Sequence, residues 1–163
     1  MKKKLSAIIG AAALVCVLAF VLIYTHSQTI EQRYPVLDLS KCIGIRGEYS
    51  FDGVEPSQSF FVSPDDAQFG EMIELFRQAS FRTKITNILP ESIKTHSGEG
   101  FRWEVIFKFD SVRMEDGSTV SGDLLRVSNF FGNLELFFDG KTVQCSVTDS
   151  ADWLEAVLRT VEK

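Results

Sequence analysis

Residues 101–110 constrain the fold most, because large apolar and charged side chains alternate along them. The apolar positions are Phe101, Trp103, Val105, Phe107 and Phe109, and the charged ones are Arg102, Glu104, Lys108 and Asp110. Successive side chains of a β-strand point to opposite faces, so the pattern predicts a strand with one buried face. Such a strand needs neighbouring strands and an apolar layer packed against its buried face.

Shorter stretches repeat this alternation and predict the rest of the sheet. They are residues 43–51, 81–85, 120–127, 134–138 and 141–147, with a brief extended piece at 60–62. Asp116-Gly117 and Asp139-Gly140 separate strand patterns and are typical of tight hairpin turns. Hairpins join antiparallel strands, so we expect a mostly antiparallel sheet.

Two helices complete the predicted domain. Ser63-Pro64-Asp65-Asp66 is a helix start, because serine caps, proline suits the first turn and acids favour the positive end of the helix dipole. The first apolar stripe is Phe69, Met72, Ile73, Phe76 and Ala79, and the second, after residue 152, is Leu154, Val157, Leu158 and Val161. The sequence therefore predicts an α+β domain at residues 41–163. Its order is β-α-β-β-β-β-α, with five to six strands and two helices on one face.

An uncharged, apolar run from Leu5 to Tyr24 follows three lysines at positions 2–4. Its length suits one helix across a bilayer, and the lysines predict a cytoplasmic N-terminus. We therefore expect a cytoplasmic tail at 1–4, a single-pass membrane anchor at 5–24, a tether at 25–40 and an extracytoplasmic domain. The alternatives are a cleaved signal peptide, a lipoprotein modified at Cys16 and a pilin-like subunit.

The charge of the chain excludes one class of partner. Beyond residue 30 there are 14 basic and 22 acidic residues, a net charge of −8. Nucleic-acid binding needs a basic surface, so we expect no nucleic-acid partner. Basic partners and divalent cations remain compatible with this charge.

Cys42 and Cys145 each fall on a predicted strand. Outside the cell they could form a disulfide, and otherwise they are two buried free thiols. Neither has a cysteine or histidine at zinc-ligand spacing, so we expect no metal site.

No set of residues in the sequence predicts catalysis. The two histidines are His26, beside the apolar run, and His96, in a polar loop. The acidic clusters at 65–66, 115–116 and 149–152 are explained as helix caps and turns. No phosphate-binding glycine pattern is present, and we expect neither a cofactor nor an enzymatic activity.

Paired phenylalanines carry the most functional information. They are Phe60-Phe61, Phe130-Phe131 and Phe137-Phe138. One member of each pair should leave the core face of its strand, and a contiguous exposed apolar patch usually marks an interaction surface. The alternative is that other parts of the fold cover these rings.

The succession of apolar run, Ser63–Asp66 helix start, Asp116-Gly117 turn and apolar stripe at 153–161 resembles small membrane-anchored extracytoplasmic α+β domains of Gram-positive bacteria. Such families mostly lack an assigned activity. We therefore expect a non-enzymatic module of the bacterial cell envelope that binds a protein or peptide. The alternatives are a cell-envelope enzyme or enzyme accessory, and a structural membrane component acting through its helix.

Overall fold

A computed structural model describes most of the chain. The described residues are 2–24, 26–50, 57–84, 87, 102–130, 133–147, 153, 156–157 and 159–160. The predicted stripe residues Leu154, Leu158 and Val161 lie outside them.

One antiparallel sheet of eight strands dominates the described chain. The strands are β1 Ser27–Gln28, β2 Cys42–Ser50, β3 Gln58–Val62, β4 Phe81–Thr83, β5 Arg102–Arg113, β6 Thr119–Phe130, β7 Asn133–Phe138 and β8 Lys141–Val147. Their order across the sheet is β1-β4-β8-β7-β6-β5-β2-β3, so β1 and β3 form its two edges. The predicted α+β domain of five to six strands is therefore wrong. The sheet is larger for two reasons. The brief extended piece expected at 60–62 is a full strand, β3, paired with β2 over five residues, and β1, a strand too short to show a periodicity, pairs Ser27 with Arg82.

Three α-helices and one 3-10 turn have both of their ends within the described residues. They are α1 Lys2–Tyr24, α2 Ile30–Arg33, α3 Ala67–Gln78 and the 3-10 turn Leu39–Lys41. Helical residues also occur near the C-terminus, where Val157 is buried and the Thr160 hydroxyl donates to the Ala156 carbonyl at 2.9 Å.

The predicted membrane anchor at residues 5–24 is contradicted. Among the residues that the structure describes, no helix has the length and apolar character needed to cross a membrane. The expected single-pass location, with an N-terminal cytoplasmic tail and a domain outside the membrane, is overturned with the anchor.

The segment expected to be a tether packs into the domain instead. Ile30, Leu37 and Leu39 are buried in the core. Thr29 begins α2 with a capping box, in which its hydroxyl accepts from the Gln32 backbone and the Gln32 side chain accepts from the Thr29 backbone. These contacts order the chain immediately before β2.

The core lies on the sheet face predicted from the odd positions of β5. Fully buried side chains on this face include Ile45, Val105, Phe107, Phe109, Leu125, Val127 and Leu136. Helix α3 covers them, with the Phe76 ring packed edge-on against Phe107 at 4.8 Å between centroids. Trp153 lies on the same side, 5.1 Å from the Phe76 ring centroid.

The opposite face carries paired charges. Arg46 on β2 binds Asp123 on β6 at 2.6 Å, and Arg126 on β6 lies 3.7 Å from Glu104 on β5. Arg126 and Glu104 lie on one face of neighbouring strands, which are close enough for their side chains to interact, whereas Arg46 reaches Asp123 across the intervening strand β5.

Candidate functional site

The Phe60-Phe61 and Phe137-Phe138 pairs each place their two rings on opposite faces of the sheet, and these rings do not form one surface. Phe61 is 65% exposed and Phe138 is buried, while Phe137 lies beneath the Arg126 guanidinium at 4.6 Å. Four strand spacings, about 19 Å, separate β3 from β7. The side chain of Phe130 and all of Phe131 lie outside the described residues. A contiguous phenylalanine patch is therefore absent from the described chain.

The two phenylalanines of β3 cover glycines of β2. A Cβ built on Gly47 would meet the Phe60 ring at 2.5 Å, and one built on Gly44 would meet the Phe61 ring at 3.4 Å. Each ring fills the space above a residue without a side chain, on the core face for Phe60 and on the outer face for Phe61. Packing against the glycines of β2 therefore explains part of the reason for two adjacent phenylalanines at positions 60 and 61.

Cys42 and Cys145 are buried free thiols and not a disulfide. They lie on β2 and β8, four strand spacings or about 19 Å apart, whereas bridged cysteines need Cα atoms within about 7 Å. Burial raises the pKa of Cys145 to about 11, and it also raises the pKa of Cys42. Both thiols are therefore protonated at neutral pH and poor nucleophiles.

Thiol titration should separate the three cysteines. Cys16 is exposed, so we expect one thiol to react rapidly with Ellman's reagent in the native protein at pH 8 and all three in denaturant. Replacing Cys16 by serine should abolish the fast reaction. Fast modification of two or more thiols under native conditions would contradict the burial of Cys42 and Cys145.

The described residues bring no catalytic set together. His26 is exposed beside β1, and His96 lies outside the described residues. Within the described part of the chain, no three histidine, cysteine or acidic side chains cluster so as to hold a metal ion.

A concavity lies at one end of the sheet, and we call it the end cleft. Its volume is about 490 Å³, within the range of small-ligand pockets. Three segments line it: the chain after α2, the β5–β6 hairpin and the β7–β8 hairpin. The lining residues are Arg33, Tyr34, Pro35, Val36, Met114, Glu115, Asp116, Ser118, Val120, Phe138, Asp139 and Lys141.

Tyr34 and Phe138 form the aromatic part of the cleft, with ring centroids 4.8 Å apart. The Tyr34 hydroxyl is buried and makes no hydrogen bond to any described residue. Burial raises the pKa of Tyr34 to about 12, against a lowering effect of the nearby Arg33 charge. The hydroxyl therefore stays protonated and can offer a neutral donor and acceptor.

The two hairpin turns place carboxylates around the cleft. Asp116 accepts hydrogen bonds from the Ser118 hydroxyl at 2.6 Å and the Ser118 backbone at 2.9 Å, and these lower the pKa of its carboxyl group. Asp139 and Gly140 both have positive φ, as a two-residue hairpin turn requires. The predicted Asp-Gly turns are thus confirmed, and they bring Glu115, Asp116 and Asp139 to one cleft.

Sequence reasoning missed this cleft. The sequence contains a local signal for each of the three segments that line the cleft. Turn residues mark the two hairpins, and a capping box marks the short helix before Tyr34. Nothing local in the sequence indicates that these three segments meet.

Comparison with protein-family models, with curated proteins and with solved structures finds no match. The resemblance to extracytoplasmic domains of Gram-positive bacteria therefore stays an untested prediction. Function has to be argued from the geometry of the end cleft.

Proposed function

We propose that the protein is a peptide-binding module whose end cleft receives a long basic side chain, lysine or arginine, of its partner. The observation that carries this proposal is the combination of apolar side chains in the cleft with carboxylates on its two hairpin turns. Lysine and arginine combine an apolar stem with a charged head, and they bury the stem while the head remains near polar groups.

The apolar part of the lining suits the stem. Tyr34, Val36, Met114, Val120 and Phe138 supply aromatic, branched and thioether surfaces. Methionine adapts to stems of different shape because its side chain is unbranched and flexible. Aromatic faces also attract cations, which favours a basic head over a neutral one.

The charges favour a cation over an anion. The lining contains three carboxylates, Glu115, Asp116 and Asp139, and two cations, Arg33 and Lys141. The Arg33 guanidinium donates to the Phe81 carbonyl of β4 at 3.4 Å, while its buried Nε makes no hydrogen bond to any described residue. Three carboxylates against two cations leave the lining with a net charge of −1, so a basic ligand improves this balance whereas an acidic one worsens it.

The chemistry of the described groups supports binding over catalysis. The Cys145 and Tyr34 protons are held by burial, which opposes activation of either group as a nucleophile. A peptide-binding role requires neither group to lose its proton.

The test uses three matched peptides of sequence acetyl-Ala-Leu-X-Leu-Ala-amide, where X is lysine, norleucine or glutamate. Binding to the full-length protein is followed by NMR, through the methyl signals of Met114 and Val120. We expect the lysine peptide to bind most tightly, because norleucine keeps the stem and lacks the charge.

Glu115→Lys should weaken binding of the lysine peptide by about fivefold, a size typical of one partly exposed ion pair. Glu48→Lys is the control, because it makes the same charge change on the exposed outer face of β2, away from the end cleft. Equal weakening by both variants would show only a long-range charge effect. Equal binding of the lysine and norleucine peptides, or none at millimolar concentration, would contradict the proposal.

A further inference from the structure

Strand β3 forms an edge of the sheet without the usual protection against pairing. Its five residues, Gln58-Ser59-Phe60-Phe61-Val62, include no charge and no proline, and they pair in unbroken register with β2 on one side only. Natural edge strands are normally short, charged, bulged or covered. The opposite edge, β1, is protected by having two residues.

The same strand carries the most exposed large apolar side chain outside α1 among the described residues. Phe61 is 65% exposed even though its ring lies over Gly44. A phenylalanine side chain presents roughly 200 Å² when free, so about 130 Å² of this ring remains open to a partner. Strand β3 thus combines an unpaired backbone edge with an exposed aromatic side chain.

We propose that β3 pairs antiparallel with β3 of a second copy of this chain, across a two-fold axis at Phe60. This register pairs all five residues: Phe60 faces Phe60 of the second copy, Phe61 faces Ser59, and Gln58 faces Val62. The small Ser59 leaves room for the Phe61 ring. The two Phe61 rings become diagonal neighbours about 7–8 Å apart, within reach of each other.

The composition of β3 favours a second copy as the occupant. An antiparallel pair of identical strands is self-complementary, as a two-fold interface requires. Because β3 is uncharged, bringing two copies together opposes no like charges within the strand. Two five-residue edges and two rings bury less than the roughly 1,200 Å² of a standard interface, so the dimer is weak and concentration-dependent.

This surface is separate from the end cleft, since no residue of β3 lines that cleft. Pairing through β3 can therefore be tested independently of peptide binding in the end cleft.

The experiment traps the pairing by register in the full-length chain carrying Cys16→Ser. One preparation carries Ser59→Cys and another carries Phe61→Cys, and each is oxidised with copper phenanthroline alone and as an equal mixture. The proposed register places position 59 opposite position 61 of the other copy, so the mixture should give about tenfold more covalent dimer than either variant alone. A third mixture, Ser59→Cys with Thr142→Cys, is the control, because Thr142 is exposed on β8.

Each outcome decides the proposal once circular dichroism has shown that the variants are folded. Preferential cross-linking in the 59–61 mixture supports the two-fold β3 pair. Equal cross-linking in all samples would indicate random collision or association through α1, and would overturn it. Absence of covalent dimer at high protein concentration would overturn it as well, leaving β3 open to an extended strand of another protein.

Discussion

Replacing Trp153 by alanine is expected to lower the free energy of unfolding by about 3–4 kcal/mol, as for other large aromatic residues in cores. Trp153 joins the C-terminal segment to α3 and the sheet. Its indole nitrogen donates to the Leu75 carbonyl at 3.1 Å, and its ring lies 5.1 Å from Phe76 and 5.7 Å from Trp103. The substitution removes these contacts together, so the C-terminal segment should detach from the core. Urea denaturation followed by far-UV circular dichroism measures the change.

Trp153→Phe is the matched control. It keeps a ring against Phe76 and loses the hydrogen bond to the Leu75 carbonyl, so we expect a loss of about 1–2 kcal/mol. If the alanine and phenylalanine variants were equally stable, ring packing would contribute little. A Trp153→Ala variant as stable as the wild type would contradict the packing of Trp153 against the core.

Gly47→Ala is expected to cost about 2–3 kcal/mol, a large effect for the addition of one methyl group. A Cβ at position 47 would overlap the Glu104 backbone carbonyl of β5 and meet the Phe60 ring of β3 at 2.5 Å. The backbone of β5 cannot move without disturbing its register with β2 and β6. The strain should therefore appear at the β2–β3 edge, as faster amide hydrogen exchange over Gln58–Val62.

Gly70→Ala tests the same chemical change where space is available. Gly70 lies within α3, and a Cβ there would meet nothing within 4 Å. Because alanine favours helix, we expect this variant to be about 0.5–1 kcal/mol more stable than the wild type. Equal effects of the two substitutions would show that the crowding at Gly47 is relieved at no cost.

The long strands and their turns could be predicted from the sequence, because their signals are local. Alternation at residues 101–110 identified β5 and its buried face, on which Val105 and Phe107 now lie. The Asp116-Gly117 and Asp139-Gly140 turns also follow from local chemistry, since few residues other than glycine, asparagine and aspartate adopt positive φ readily.

The elements between the apolar run and β2 were missed for two different reasons. The pattern Thr29-x-x-Gln32 is a recognisable capping box, so α2 had a local signal that could have been used. Strand β1 had none, because two polar residues show no periodicity and their pairing with β4 depends on contacts more than 50 residues away in sequence. The predicted number of strands was therefore too low, in part because β1 has no local signal in the sequence.

The sequence by itself determined which side chains of each long strand face the core and where the hairpins turn, because both follow from the two-residue period and from backbone sterics. It also separated Phe60 from Phe61, and Phe137 from Phe138, onto opposite faces. Only the tertiary structure decided that Phe60 and Phe61 cover Gly47 and Gly44, that Cys42 and Cys145 lie four strands apart, and that three separate segments meet around Tyr34. These features depend on strand order and long-range packing, and residue periodicity contains no information about which strands become neighbours.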